Sequence, residues 1–482
     1  MRKLAVVIFG MLLVVSCGKI KKQEASIKQE TQKPNIIYIL ADDLGYGDLS
    51  SYGQKHFETP NIDKLASKGM KFLQHYSGAS VCAPSRSSLM TGQHTGHTPI
   101  RGNRELEDEG QTPLPATSLT IAEVMKLAGY KTGAFGKWGL GFIDSEGDPN
   151  NQGFDEFYGY NCQRLAHRYY PPYLWENKNK VLLKGNDWTK TETYAPDKIQ
   201  EATLKFIEEN KEKPFFAYVP LVLPHAELIS PNDSIFNKYK GKFEETPLTS
   251  DARYTSDYGP DIIHKEYCPQ ETPHAAFASM VDRLDVYVGQ IMDKVEELGI
   301  ADNTIIMFAS DNGPHAEGGA DPEFFNSGGD LRGIKRDLYE GGIRTPFIAV
   351  WPNKIKAAST SNHVSAFWDV LPTIADIVDV KINNQIDGIS FLPTLLDTKS
   401  QKEHNYLYWE FNIKSGRKAI RKGNWKGVWY KINGKKQGEF ELYNLETDLP
   451  EENNIANNHP EIVEELKQLM SEASIPSELF PF

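Results

Sequence analysis

The chain has little that would cross-link it, thread it through a membrane or draw it to polyanions. Four cysteines in 482 residues are too few for a disulfide framework. The formal charge of −12, from 53 Lys and Arg against 65 Asp and Glu, lacks the basic excess that nucleic acid selects, so no nucleic-acid partner is expected. The same deficit means that an anionic ligand needs a locally basic pocket. There is no fixed-period repeat and no low-complexity tract, which sets aside solenoids. The apolar run Leu4 to Val15 is too short to cross a bilayer. What is left is an ordinary globular composition, 39% hydrophobic and 24% charged, long enough for one large α/β domain and a smaller one.

The short apolar run reads as an address. Arg2 and Lys3 precede it, and Val14-Val15-Ser16-Cys17 resembles a bacterial lipobox. Residues 1–16 are therefore expected to be a lipoprotein signal peptide, cleaved before Cys17, with lipid on its sulfur and residues 17–33 as a polar tether. This predicts an exported protein, a periplasmic or outer-membrane lipoprotein of a bacterium, anchored through the lipid on Cys17 without spanning. Cys82, Cys162 and Cys268 then remain. The last two are able to pair in an exported protein, and the sequence does not decide it.

Several short apolar runs read as buried parallel strands separated by helical patterns. Asn35 to Ala41 ends in Asp42-Asp43. Thr304 to Ala309 is followed by Ser310-Asp311-Asn312-Gly313. Pro214 to Val219 leads to Pro224-His225, and Thr132 to Phe135 leads to Gly136-Lys137-Trp138. Phe347 to Val350 is a further strand. Helices are predicted from Thr59-Pro60 to Gly69, from Ser118 to Gly129, and over the apolar positions from Phe277 to Leu298. The fold class is α/β: a mostly parallel sheet sandwiched by helices over residues 34–400, with a small C-terminal α+β subdomain at 401–482 containing an antiparallel sheet. That subdomain is read from short strands around Tyr406–Trp409, Trp425–Tyr430 and Phe440–Tyr443, then a helix from Ile462 to Met470.

In a parallel sheet, ligands bind beyond the carboxyl ends of the strands, and four of these strands deliver chemistry there. Asp42, Asp43, Asp311 and Asn312 make an all-oxygen set, which suits a hard cation, Ca²⁺ or Mg²⁺. Cys82-Ala83-Pro84-Ser85-Arg86 begins a helix, placing Cys82 at an N-terminus that favours an anion. Arg86, four residues on, lies on the same face.

The run from Cys82 to Gly92, Cys-Ala-Pro-Ser-Arg-Ser-Ser-Leu-Met-Thr-Gly, resembles the signature of type I, formylglycine-dependent sulfatases of the alkaline phosphatase superfamily, among them bacterial carbohydrate and aryl sulfatases. The resemblance covers about residues 34–450 and includes the stretch Asp42 to Asp48, Gly136-Lys137-Trp138, Ser310 to Gly313, and Lys335 ahead of Glu340 to Pro346. It implies that Cys82 is converted to formylglycine by a formylglycine-generating or anaerobic sulfatase-maturating enzyme. The hydrated aldehyde would then bind one Ca²⁺ together with Asp42, Asp43, Asp311 and Asn312. One of its hydroxyls would attack sulfur, and the second would expel sulfate afterwards. Lys137, Lys335 and Arg86 would grip sulfate oxygens, and His225 would serve the leaving oxygen as general acid. One position departs from the pattern. The family often reads Gly-Lys-Trp-His, and here Gly139 stands where that histidine helps deprotonate the nucleophile. His94, His97 and His315 are the nearby candidates to replace it.

The expected substrate is a sulfated carbohydrate, with galactose or N-acetylgalactosamine sulfate suggested by the resemblance. Arg101, Arg168, Trp175 and His315 are the candidate substrate residues, the middle two from the aromatic and basic stretch Asn161 to Trp175. Two other readings compete: a phosphoester or phosphonate hydrolase of the same superfamily, and a catalytically inactive glycan-binding surface lipoprotein.

Overall fold

Every residue of Asn35–Ala41 is buried, and alternate side chains enter two different cores, as the two-residue period of a strand requires. Ile37 and Ile39 pack in one; Ile36, Tyr38 and Leu40 pack in the other. The computed structural model describes residues 33–106, 109–249 and 267–482. The signal run, the lipobox and Cys17 lie outside the described residues.

The main sheet has ten strands. In chain order they are β1 (Asn35–Ala41), β2 (Met70–Phe72), β3 (Lys131–Lys137), β4 (Glu156–Tyr160), β5 (Tyr173–Glu176), β6 (Asn179–Leu182), β7 (Phe215–Pro220), β8 (Thr304–Ser310), β9 (Phe347–Val350) and β10 (Ser359–Ser361). Across the sheet they run β10-β2-β9-β8-β1-β7-β3-β4-β5-β6. The middle five, β8 to β4, are parallel, so their carboxyl ends share one edge. Antiparallel pairs lie on both flanks. Helices α1 (Pro60–Lys68), α2 (Cys82–Thr91), α3 (Ile121–Leu127), α4 (Ala195–Glu209), α5 (Pro273–Glu297) and α6 (Val370–Ile377) cover both faces. One face packs on Ile62 and Leu65 of α1, Phe206 of α4 and the length of α5. The other packs on Leu89 and Met90 of α2, Val124 and Met125 of α3, and Leu371 and Ile374 of α6. Among the described residues no helix is long and apolar enough to cross a membrane.

The C-terminal sheet has four antiparallel strands, β11 (Leu407–Phe411), β12 (Arg417–Lys422), β13 (Trp425–Tyr430) and β14 (Phe440–Asn444), in that order. Its period of two again serves two partners. Trp409, Ala419 and Val428 pack on Tyr76 and Trp368 of the larger domain. Tyr408, Ile420 and Leu442 pack on Leu466 and Met470 of α7 (Pro460–Glu472). Buried charge reinforces the first contact: Lys426 Nζ donates to Glu340 Oε1 at 2.8 Å and lies 3.4 Å from Glu451. Arg344 and the Tyr76 hydroxyl meet the other oxygen of Glu340.

Four details differ from the sequence-based expectations. The strand β9 is antiparallel to β8; a run buried on both faces carries no sign of its direction. The helix expected from Ser118 begins at Ile121, because Thr120 and Glu123 form a reciprocal capping box. Lys137 belongs to β3 itself, paired with Tyr160. Strand β12, Arg-Lys-Ala-Ile-Arg-Lys, was not anticipated, because charged residues fill four of its six positions. It is central all the same, with Arg417 and Arg421 buried through hydrogen bonds to Arg336 O and Tyr76 Oη.

Candidate active site

The carboxyl edge of β1 and β8 sets the site. Adjacent strand residues point to opposite faces, yet Cys82 Sγ lies 3.3 Å from Asp42 Oδ1 and 3.9 Å from Asp43 Oδ1. The strand has ended: Asp43 takes φ 63, a left-handed conformation rare outside glycine. Two contacts hold it there, Asp43 N to Asp311 Oδ1 at 3.0 Å and Asn312 Nδ2 to Asp43 Oδ1 at 2.7 Å. Cys82 is the first residue of α2, so the positive end of the helix dipole faces the same point. The next backbone N–H, of Ala83, donates to Asn103 Oδ1.

Three cations neutralise these acids. Lys137 Nζ donates to Asp42 Oδ2 at 2.7 Å. Lys335 Nζ donates to Asp43 Oδ2 at 2.7 Å and to Glu317 Oε2 at 3.1 Å, and lies 3.0 Å from His225 Nε2. Arg86 donates through Nε and Nη2 to Asp311 Oδ2 and through Nη1 to the Lys137 carbonyl. Burial would raise Asp42, but Lys137 and Arg86 outweigh it and hold the carboxyl below its ordinary value. Asp311 goes the other way, pushed up to about 7 by burial and by Asp42. Burial, with Asp42 adding, drives the Cys82 thiol well above its ordinary value, so the unaltered thiol is a poor nucleophile. Burial, then Lys335, push His225 well below its ordinary value. Its Nδ1 bonds the Ala226 carbonyl, which puts the ring proton there and leaves the Nε2 lone pair toward Lys335.

The donor set fits a hard cation. Asn312 Oδ1 is buried with no hydrogen-bond partner among the described residues, beside three carboxylates, and Asp42, Asp43, Cys82 and His225 offer ligand atoms within 4.8 Å of one another.

Some assigned residues sit elsewhere. Arg86 does not present itself to an anion; Asp311 and the Lys137 carbonyl engage its three nitrogens, so it positions a cation ligand and a lysine. Arg101 is 5% exposed and spans to the C-terminal subdomain, through Glu410 at 3.0 Å and the Ile475 carbonyl at 2.7 Å. Arg168, 4% exposed, pairs with Glu227 at 3.1 Å. Trp175 Nε1 donates to Glu109 at 2.7 Å. His315 stacks on His225 with ring centres 5.7 Å apart. Its Nδ1 accepts the Glu317 N–H and its Nε2 faces the Pro224 carbonyl, so both nitrogens are in use. His94 and His97 meet Asp387 beyond the far end of α2, whose 10 residues carry the chain about 15 Å from Cys82. His94 and His97 are thus too far away to replace the histidine absent at Gly139, whereas His315 stays at the site, with a ligand atom within 4.8 Å of Asp43 and Glu317. Cys162 and Cys268 do not pair with each other.

Two residues of the site went unassigned in the sequence. Glu317 bonds Lys335 and Arg336, and its short distance from Ser310–Gly313 was the available signal. His167 also stacks on His225, with ring centres 4.6 Å apart and planes at 8°.

Other proteins share this chain's sequence pattern and fold. The sulfatase family model matches residues 34–380, and a model described as N-sulphoglucosamine sulphohydrolase, C-terminal, matches residues 334–475. An arylsulfatase of Hemicentrotus pulcherrimus is 32% identical over 438 residues, covering 85% of this chain and 70% of the relative. An N-acetylgalactosamine-6-O-sulfatase of Bacteroides thetaiotaomicron is 31% identical over 524 residues, covering 96% of each. Among solved structures, that of Ps i-CgsB superposes with a TM-score of 0.74 at 27% identity, covering 92% of each chain. Matched through most of its length by sequence and by fold, the chain belongs to the sulfatase family, within the alkaline phosphatase superfamily, and is a sulfuric ester hydrolase.

Proposed function

We propose that this hydrolase removes sulfate from a sulfated carbohydrate, using a formylglycine made from Cys82 by a maturating enzyme and one Ca²⁺ ion. The observation that carries the reading is the convergence of Asp42, Asp43, Asp311 and Asn312 on position 82, with two lysines beside them and the Asn312 oxygen unpartnered. These four residues, with position 82, would hold the cation. Bound there it supplies positive charge to a sulfate oxygen and to the nucleophile. Formylglycine supplies a hydrated aldehyde hydroxyl in place of a thiol that burial keeps protonated.

The chain's own residues do the rest. Lys137 and Lys335 present two ammonium groups to the anion, each of the kind whose loss costs on the order of 10²–10³ in rate. Arg86 fixes Asp311 and the Lys137 carbonyl, so that cation ligands and lysine stay in register. The proton for the departing alcohol is held between Lys335 Nζ and His225 Nε2. The stacked rings of His167 and His315 and the Ala226 carbonyl keep His225 in one orientation.

Of the two sugars expected, the N-acetylgalactosamine-6-O-sulfatase relative, matched along 96% of this chain, supports N-acetylgalactosamine sulfate. The apolar run before Cys17 supports export and a lipid anchor, which metabolic labelling with a palmitate analogue checks against Cys17→Ala. The inactive-binder reading rested on Gly139, and nothing in the site favours it.

The test is mass spectrometry of the tryptic peptide ending at Arg86, from chain made alongside a maturating enzyme, followed by release of sulfate from aryl and sugar sulfates. An aldehyde at position 82 with sulfate release supports the reading. A retained thiol with undiminished activity, or full conversion with no sulfate released from any ester, defeats it.

A further inference from the structure

The missing family histidine has a structural explanation that leads beyond it. Gly139 takes φ +74, and a Cβ built there would lie 2.2 Å from Gln163 Nε2. The side chain of Gln163 occupies the space that any side chain at 139 would enter. Gln163 is 2% exposed and Asn161 1%. Neither polar atom of either amide has a hydrogen-bond partner among the described residues. Asn150, Gln152, Gln200 and Asn312 each leave a single atom unpaired; Asn161 and Gln163 leave both. Burying an amide without partners costs roughly 1–3 kcal/mol, and a fold seldom retains two such groups side by side without use.

Their position points to that use. Lys137 pairs with Tyr160 across β3 and β4, and the ladder continues with Gly139 N to Asn161 O at 2.9 Å. The two amides therefore lie one and three residues past the strand partner of a site lysine, on the carboxyl edge where Asp42 and Lys137 meet. A second connection reaches them from the nucleophile. Asn103 receives the N–H of Ala83, next to Cys82. The chain turns back through a short hairpin, and Gln111 Oε1 receives the N–H of Gln163 at 3.4 Å.

We propose that Gln163 and Asn161 bind hydroxyl groups of the sugar that carries the scissile sulfate. The inference rests on the sulfatase reading above and sharpens its substrate to a polyhydroxylated ring with free hydroxyls beside the ester. An amide offers two donor hydrogens and two acceptor lone pairs, which matches hydroxyls in either role, and cannot do the proton chemistry of a histidine. Recognition is thereby moved from Arg168 and Trp175, which are committed to Glu227 and Glu109, to two amides in the same stretch of chain.

The experiment uses full-length converted enzyme and two substrates, 6-sulfated N-acetylgalactosamine and 4-nitrophenyl sulfate, which has no hydroxyls. Gln163→Met and Asn161→Leu keep volume and remove hydrogen bonding. Each is expected to lower the ratio of kcat/KM for the sugar to that for the aryl ester by about tenfold, the worth of one hydrogen bond. The thermal midpoint is expected to hold or rise, because an unpaired buried amide has been replaced by an apolar isostere. Equal losses on both substrates, or a lowered midpoint with the ratio unchanged, would mean that the amides serve a buried water or the fold, and would overturn the proposal. Deoxy sugar sulfates extend the test to the unaltered chain. At least one is expected to lose about tenfold on wild type and nothing further on Gln163→Met or Asn161→Leu; full activity on every deoxy analogue overturns the proposal. A wild-type chain that cleaves the aryl ester but no sugar sulfate overturns this inference alone, and one inactive on both overturns the sulfatase reading with it.

Discussion

Around Cys82 and around Lys426 the fold buries two groups of acids and bases of similar size. At Lys426, Glu340 and Glu451 face one lysine, with Arg344 and Tyr76 completing Glu340. That cluster joins two sheets, and its charges meet partners supplied by the two elements it joins. At Cys82, two lysines converge on adjacent acids from a single strand end, and Asn312 keeps an oxygen without a partner among the described residues. Both clusters satisfy the rule that buried charge is paired. Each keeps one buried oxygen without a hydrogen bond among the described residues, but Glu451 Oε1 lies 3.4 Å from the Lys426 ammonium, whereas Asn312 Oδ1 lies beside carboxylates, an arrangement that suits a hard cation.

The largest expected effect tests the first cluster. Lys426→Met leaves Glu340 and Glu451 buried without their cation and should cost about 3–5 kcal/mol in denaturant unfolding, with kcat of the folded fraction unchanged. Lys335→Ala should lose on the order of 10²–10³ in kcat of the folded fraction, on top of what it costs Asp43 and Glu317 to lose their lysine. If Lys426→Met lowered kcat of the folded fraction as far, the distinction between the clusters would fail. Chelation comes next. With Ca²⁺ at about 100 times its Kd, its removal should cost about 2.7 kcal/mol of stability, read by calorimetry. Asn312→Leu should abolish most of that shift and Lys426→Met should keep it.

The smallest effect is in acid. Burial would raise Glu340, yet Lys426 and Arg344 outweigh it and bring the carboxyl to about 2 from its ordinary 4.5. A depressed folded-state value means that the stabilisation is complete above about 4.5 and drains away as pH falls toward about 2. Glu340→Gln should be less stable than wild type at neutral pH and lose less on acidification. A parallel pair of stability curves between pH 5 and 2 would contradict this.

Local signals in the chain made part of this visible. The apolar strands and the acids at their ends are contiguous, so β1 with Asp42 and Asp43, and β8 with Asp311 and Asn312, could be read without knowing the fold. Other features depend on what comes near in space. The arginine of the nucleophile helix lies on the expected face, but Asp311 engages it, so it acts as a strut. His94 and His97 stand within fifteen residues of Cys82 in the chain, and the rise of α2 carries them to its opposite end. Arg101 and Arg168 were read as substrate contacts because one follows the nucleophile helix and the other lies in an aromatic and basic stretch, while their partners Glu410 and Glu227 were too distant in sequence to foresee. Strand β12 was hidden by charges that its neighbours neutralise.

The loop behind the nucleophile helix is held by the far end of the chain. Ile475 N–H bonds the Gly96 carbonyl, Arg101 donates to the Ile475 carbonyl, and Gly96 packs against Ala473 with no room for a side chain. These partners are synthesised about 390 residues after Cys82, which at about 5–20 residues per second is roughly 20–80 s. Throughout that interval the loop lacks its clasp. The order of synthesis thus acts as a timer: the loop cannot take its final form before residues 473–475 have been made.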